Sequence, residues 1–345
     1  MTHTEIPDRM RASVLLGTRE LTIEERPVPT PAADEVLVRV GAVGVCGSDV
    51  HYFREGRIGD FVVDAPLVLG HEVGGVIVAV GENVDPARVG HRVAIEPQRP
   101  CGRCRECRIG KYNLCPDMEF YATPPIDGAF TEFVTIQSAF AHDVPDTVTD
   151  EAAALLEPLS VAITSVRKAG IVPGSTVLIA GAGPIGIITA QTARAFGAGE
   201  VIVSDLVEAR RERALQYGAT RVIDPRTQNP ADLDLPIDAF IDASGAAPAV
   251  QSGIRAVRPA GTAVLVGLGN PEMTLPVEDI QNREITVTGI FRYTETWPVA
   301  IQLVAGGQVD LDSLVTGRFG LDEVEQALES DTDPDSLKSV VYPAR

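Results

Sequence analysis

Two short stretches carry side chains able to hold a reactive metal. Gly44-Val45-Cys46-Gly47-Ser48-Asp49-Val50-His51-Tyr52 sets a thiol, a hydroxyl, an imidazole and a phenol in a glycine-flexed turn, and Gly70-His71-Glu72 adds an imidazole and a carboxylate. Zinc takes thiolate, imidazole or carboxylate ligands, and a catalytic site keeps one position open. Cys46, His71 and Glu72 are therefore candidate ligands; taken alone, Cys46 is better read as a buried structural cysteine in a tight turn, and the rest of the chain reverses that preference. A third stretch is Cys101-x2-Cys104-x2-Cys107-x7-Cys115, in a polar loop rich in Gly and Arg. Four thiolates at these spacings can close a tetrahedron around one zinc with no room for substrate, which makes this site structural. Cysteine spacing alone also permits an iron–sulfur cluster. An odd total of five cysteines, four of them within fifteen residues, is not a disulfide framework. It indicates metal chemistry in a reducing compartment.

A second kind of chemistry is written at Gly181-Ala182-Gly183-Pro184-Ile185-Gly186. A continuous β run at 177–180 leads into it and helical spacing at 187–195 follows, the context in which GxGxxG lets backbone approach a pyrophosphate at a helix N-terminus. The next strand, 201–204, ends in Asp205, nineteen residues after Gly186. A carboxylate there accepts hydrogen bonds from the adenine-ribose diol and repels a 2′-phosphate, and Leu206 supplies no cation to reverse that, so the cofactor is NAD rather than NADP. Arg210 either lies over the adenine or is a solvated helix residue. Val266-Gly267-Leu268 and Ser244-Gly245 fall at strand ends facing the cofactor crevice, and Phe291-Arg292-Tyr293 follows the last strand.

The elements needed to position these groups divide into two patterns. From residue 12 to 95, short apolar runs at 13–16, 21–24, 36–40, 67–70, 73–80 and 92–95 alternate with Pro and Gly, the mark of brief strands in an irregular all-β module shaped like a small, partly open barrel. Residues 1–11 show no periodicity and read as a frayed leader. Asp127-Gly128 reads as a turn and 130–134 as a short strand. A helix begins at Asp150, capped by Thr149 or Asp150, and delivers Glu157 just ahead of Pro158. Helices at 187–195, 207–217 and 247–257 then alternate with strands at 177–180, 201–204, 221–223, 238–242, 262–266 and 285–290. That is the pattern of a Rossmann fold, a doubly wound parallel sheet in an α/β chain. A helix starting at Trp297 returns the chain to the first module.

At 345 residues the chain suffices for two domains with their own cores. Its net charge of −19 opposes binding to phosphate backbones and anionic membranes. The sequence contains neither a signal-like N-terminal segment nor a membrane-length apolar run, so a soluble cytoplasmic protein is expected. Its lysines are only three, Lys111, Lys168 and Lys338.

With these residues assembled, the chain resembles the zinc-dependent medium-chain dehydrogenases, specifically their polyol (sorbitol/xylitol) dehydrogenase branch. The resemblance runs from about Ser13 to Phe319 and is most specific at CGSDVHYF with EGRIGDF, LGHE, EPLSV, GAGPIG, VGLGNPEM and GIFRYTETWPVAI. It implies a GroES-like catalytic domain over 1–158 with 296–345, and an NAD-binding Rossmann domain over 159–295. It implies that Cys46, His71 and Glu72 bind the catalytic zinc, with Glu157 beside them as a direct ligand or through water. Ordinary alcohol dehydrogenases usually carry cysteine near that position, so the glutamate points to the polyol or threonine side.

The resemblance further makes Tyr52, Glu157, Arg292 and Tyr293 the substrate-binding candidates, although Arg292 also suits a domain-bridging ion pair. Ser48, His51 and Glu157 become the candidates for proton transfer, Ser48 being alternatively a turn cap. Phe291 and Arg292 join the cofactor contacts. The implied reaction is oxidation of a polyol to a ketose by NAD in a homotetramer, with L-threonine, a vicinal diol or L-idonate as the alternative substrates. Two departures stand out. All four lobe cysteines are kept, unlike in mammalian sorbitol dehydrogenases, and Phe53 stands where tryptophan is common.

Overall fold

The computed structural model describes residues 6–333 and 335–345. The chain divides into two compact units, residues up to Glu157 with Leu311–Arg345, and Pro158–Asp310. The segment 296–310, which contains the helix Trp297–Ala305, lies in the second unit, and the chain returns to the first at Leu311.

The first unit is built on a seven-stranded sheet around the strand Glu35–Gly44. Glu72–Val80 pairs antiparallel along one edge of that strand. The other edge changes partner midway: Phe133–Gln137 pairs with its first half and Lys338–Tyr342 with its end. Val36, Val38 and Val40, spaced by two, are buried with Val73, Ile77, Val93 and Ile95 in one apolar core, as alternation across a strand requires. The register puts Gly44 opposite both Glu72 and Val340. Three strands thus meet where the proposed metal ligands begin.

The second unit carries a six-stranded, all-parallel sheet. Its order is Arg221–Ile223, Glu200–Ser204, Thr176–Ala180, Ile237–Asp242, Val257–Leu265 and Thr286–Gly289. Val177, Leu178 and Ile179 are fully buried, as a strand covered on both faces demands. Sequence order reverses between Thr176–Ala180 and Ile237–Asp242, which creates the crevice where such sheets bind ligands.

The structure corrects three local expectations. The 46–55 stretch is no simple turn: Gly47–Glu55 is a helix whose N-terminus is closed by Cys46 and Asp49. Of the supposed leader, residues 1–5 lie outside the described residues, whereas Arg9–Gly17 is a strand paired with Glu20–Pro27. Arginines flank Met10 at its start, and Arg9 gains its hold from Glu25 by donating to the backbone carbonyl at 2.6 Å. Asp127-Gly128 is not the turn; the chain reverses at Pro124-Pro125 between Thr123 and Ile126. Gly128 serves close approach instead, since a Cβ there would lie 2.3 Å from the Gly70 carbonyl oxygen. The strand that follows is Phe133–Gln137. No described helix is long and apolar enough to cross a membrane.

Candidate active site

Asp49 ties the two ligand-bearing stretches together. Fully buried on the first turn of the Gly47–Glu55 helix, it accepts hydrogen bonds from the Cys46 N–H (3.0 Å) and from the Gly70 N–H (2.9 Å). The His71 Nδ1 stands 3.6 Å from the same carboxylate. Burial alone would raise the Asp49 carboxyl, but the His71 charge and these hydrogen bonds hold it below the usual range. Burial likewise disfavours the His71 imidazolium; Asp49, with Cys46, outweighs it and lifts His71 well above an ordinary histidine. The result is a histidine whose ring is fixed from behind, with a thiol and a carboxylate alongside. Ligand atoms of Cys46, His71 and Glu72 all lie within 4.8 Å of one another.

Glu72 is oriented from both sides. Its Oε1 receives the Lys338 ammonium at 2.6 Å, both side chains being buried, and Lys338 also donates to the Val45 carbonyl at 2.7 Å. Burial would depress the Lys338 ammonium, yet the charges of Glu72 and Cys46 hold it above its usual value. Gly44 explains how the pair fits, because a Cβ on it would sit 1.9 Å from Glu72 Oε2. That Oε2 is buried without a hydrogen-bond partner. An orphaned carboxylate oxygen is costly unless a cation completes it, and with a thiol and an imidazole beside it the donor set fits zinc. Glu157 is also buried, at the second residue of the helix Leu156–Lys168. It lies outside the three-ligand group, close enough to add to the field on Lys338.

Replacing Asp49 by asparagine is expected to weaken zinc binding roughly 10–100-fold, the usual effect of losing a carboxylate behind a ligating histidine. The pH dependence carries the sign. Protons on His71 compete with the metal, so zinc affinity falls as pH drops through the raised His71 pKa. In Asp49→Asn that fall begins at lower pH, because the imidazolium has lost its counter-charge. Zinc competition titrations against a chelator at several pH values check both effects; an unchanged pH profile contradicts the assignment.

Cys101, Cys104, Cys107 and Cys115 converge as a second group, separate from the first. Sulfur and backbone interlock: Cys101, Cys104 and Cys107 N–H groups donate at 3.4 Å to Cys115, Cys101 and Cys104 Sγ. Backbone N–H groups of Arg103 and Cys104 bring the Cys101 thiol down to about 7, while partial burial pushes Cys107 up to about 12. A dication is what would ionise all four, and the tetrathiolate set fits a structural zinc. The loop is tied to the body by Tyr112, whose hydroxyl donates to Glu96 Oε1 (2.9 Å), with Gln98 Nε2 and His142 Nε2 each 3.0 Å from that carboxylate.

In the second unit, Gly181 has φ +97°, and a Cβ on Gly186 would be 1.9 Å from the Gly181 carbonyl oxygen. Gly183 caps the helix Pro184–Ala195, with Pro184 and Ile185 in its first turn, and nothing lies within 4 Å of where its Cβ would be. Asp205 is held by Ala182 N–H and Val207 N–H, each at 2.8 Å. This is a cradle for a pyrophosphate with a carboxylate fixed beside it, and it fits NAD. The loops carrying Ser244-Gly245 and Val266-Gly267-Leu268 approach so closely that a Cβ on Gly267 would fall 2.1 Å from the Gly245 nitrogen. Asp242 organises them by accepting from Ser244 N–H and Gly245 N–H at 3.0 and 3.2 Å. Leu268 and Phe291 are exposed. Arg210 is half-buried on the helix Glu208–Gln216, and the neighbouring Arg211 bonds the Asp205 carbonyl at 2.8 Å.

The remaining candidates are distributed over both units. Ser48 is half-buried at the second helical position, and the capping role falls to Asp49 rather than to it. His51 is partly exposed, its Nδ1 3.3 Å from Glu55. Tyr52 is buried in the first unit's core. In the second unit, Arg292 takes φ +58° and lies 4.7 Å from the Phe291 ring centre, and the fully buried Tyr293 meets Trp297 edge-on at 6.2 Å. Sequence reasoning missed Asp49, Gly44, Lys338 and Glu96 as site-builders. Two carried a signal: Asp49 completes a Cys-x-x-Asp capping pattern, and Lys338 is one of three lysines, set just ahead of the apolar pair Val340-Val341.

The alcohol dehydrogenase GroES-like domain model matches residues 32–146, and the zinc-binding dehydrogenase model matches residues 184–306. The chain is 45% identical to sorbitol dehydrogenase of Bacillus subtilis (strain 168), over 100% of both chains. It is 42% identical to D-xylulose reductase A of Aspergillus oryzae, over 95% of both. Among solved structures, L-idonate 5-dehydrogenase from Escherichia coli superposes with a TM-score of 0.92 at 28% identity, covering 97% of this chain and 98% of that one. A Cys/His/Glu donor set on a GroES-like unit, a dinucleotide cradle on a Rossmann unit and likeness of this extent have one explanation: the chain belongs to the zinc- and NAD-dependent medium-chain dehydrogenases, in their polyol dehydrogenase branch.

Proposed function

We propose that the protein oxidises a polyol of the sorbitol or xylitol type to the corresponding ketose, with NAD⁺ reduced to NADH and one proton released. The observation that carries this reading is end-to-end likeness to a sorbitol dehydrogenase. The carboxylate third donor, Glu72, agrees with it. When bound, zinc supplies Lewis acidity toward a hydroxyl and NAD accepts the hydride. Cys46, His71 and Glu72 hold the metal in the first unit, and Cys101, Cys104, Cys107 and Cys115 hold the structural ion. Gly181, Gly183, Pro184, Ile185, Gly186 and Asp205 bind the dinucleotide, with Arg210, Val266, Gly267, Leu268, Phe291 and Arg292 as further contacts.

The hydroxyl proton leaves through Ser48 Oγ to His51, whose partly exposed ring can release it to solvent; Glu157 offers the second route. Candidates for the remaining hydroxyls are Tyr52 and Glu157 in the first unit and Arg292 and Tyr293 in the second, since a chain of similar hydroxyls needs several hydrogen bonds to present one carbon. We place the enzyme in the cytoplasm, where thiol ligands stay reduced, as a homotetramer.

The test is NADH formation at 340 nm from sorbitol, xylitol, ribitol, L-idonate, L-threonine, 2,3-butanediol and ethanol, before and after chelation. Chelator-sensitive turnover strongest on a pentitol or hexitol is the expected result. Turnover confined to L-idonate, the second reading favoured by the close superposition on its dehydrogenase, or to threonine or the diol, overturns the polyol assignment and leaves the zinc chemistry standing.

A further inference from the structure

Among the described residues, Lys338 is the one lysine or arginine that the fold buries, and it lies against the metal ligand Glu72; its reach is set by sheet register. Gly44 faces Glu72 on one neighbouring strand and Val340 on the other. With no side chain on Gly44, the ammonium from the last strand and the carboxylate meet across the end of the central one. The contact is one-sided: Nζ engages Oε1 at 2.6 Å, while Oε2 has no hydrogen-bond partner. A second bond from the same ammonium, to the Val45 carbonyl at 2.7 Å, fixes the backbone directly before Cys46. A buried pair of this kind is costly to desolvate, and hydrophobic replacement is often at least neutral for stability. Its value therefore lies in what it does to the carboxylate.

We propose that Lys338 is a positioning residue that divides the Glu72 carboxylate between an ammonium and the catalytic metal, so that Glu72 ligates through Oε2 alone. The inference rests on the reading of Cys46, His71 and Glu72 as the zinc ligands. A carboxylate free to bind through both oxygens would add a fifth donor beside the position that a catalytic site keeps open and crowd it. The formal charges of one thiolate and one carboxylate cancel those of a dication, and the ammonium offsets part of the carboxylate's share. The metal thereby stays a stronger Lewis acid toward a substrate hydroxyl.

The experiment compares the full-length protein with Lys338→Met, Lys338→Gln and Lys338→Arg, each carrying cobalt(II) in the catalytic site and zinc in the cysteine lobe. The readouts are the cobalt absorption spectrum and the affinity measured against a chelator. In Lys338→Met the visible bands are expected to fall at least about twofold in intensity as coordination rises above four, with Lys338→Arg close to wild type because it keeps the cation. Lys338→Gln is expected to follow Lys338→Met, and it supplies the answer if the methionine variant does not fold. Spectra and affinities identical across wild type and the neutral variants overturn the role of Lys338, as does an arginine variant that behaves like the neutral ones. Absence of a sulfur-to-cobalt band in wild type is a different failure: it removes Cys46 from the site and with it the ligand assignment itself.

Discussion

Changing Cys46 to serine is expected to release the catalytic zinc and leave NAD binding intact. Cys46 is the single thiol in the three-ligand group, and serine keeps its shape while removing the thiolate that zinc prefers. Metal analysis should fall from two zinc ions per chain to one, the remaining ion belonging to the four-cysteine lobe. Turnover should drop roughly 10³–10⁴-fold, which corresponds to the several kcal/mol of charge stabilisation that a bound Lewis acid supplies. The dinucleotide cradle belongs to the other unit, with its own sheet and glycine turn. Fluorescence titration with NADH should therefore give a dissociation constant within about twofold of wild type, an unaltered binding free energy on that scale. A variant that keeps full turnover would refute the metal assignment, and one that loses NAD binding as well would mean that the substitution acts through folding.

The second large effect concerns stability. The lobe from Cys101 to Cys115 contains one four-residue helix and one short 3-10 turn, and its apolar residues Ile109 and Leu114 are 58% and 50% exposed. So little apolar surface is buried there that the hydrophobic effect cannot hold it. The four sulfurs and the Tyr112 hydroxyl bond to Glu96 must do so. Metal binding in such loops is itself folding free energy, on the order of 10 kcal/mol in small zinc modules at neutral pH. Cys104→Ala should therefore lose the structural ion and let the lobe open locally.

Limited proteolysis is the suitable measurement, since cleavage reports the open population when closing is fast. Cutting within 102–111 is expected to accelerate about 100-fold or more, a loss of at least about 3 kcal/mol of local stability. The first unit's core should remain folded and retain the catalytic zinc. A lobe as resistant as wild type would show that packing, not metal, holds it.

How much of this molecule is legible in its residues follows from how local each device is. The cysteine quartet, the Gly181–Gly186 turn with Asp205, and the Cys46, His71 and Glu72 set could be put forward from residue type and spacing. Metal and pyrophosphate chemistry accept few residue types, and those must recur at short spacings or in a strand–turn–helix context. Hydrophobic periodicity likewise foretold all six parallel strands of the second unit within a few residues. It missed the helix Gly47–Glu55, whose start depends on a carboxylate folding back onto Cys46 rather than on a periodic apolar face.

Lys338 and Glu72 are 266 residues apart and touch only because a strand from the end of the chain pairs with Glu35–Gly44. Asp49 reaches the Gly70 amide across twenty-one positions, and Glu96 gathers Tyr112 and His142 from 16 and 46 positions downstream. No spacing rule encodes these contacts, since strand register is fixed by the burial of whole faces. By itself the sequence determined which atoms can bind zinc and NAD, because that depends on chemical type. Only the tertiary structure decided which carboxylate oxygen is free, which histidine is braced and which lysine stands behind the site, because those depend on what the sheet brings within hydrogen-bond distance.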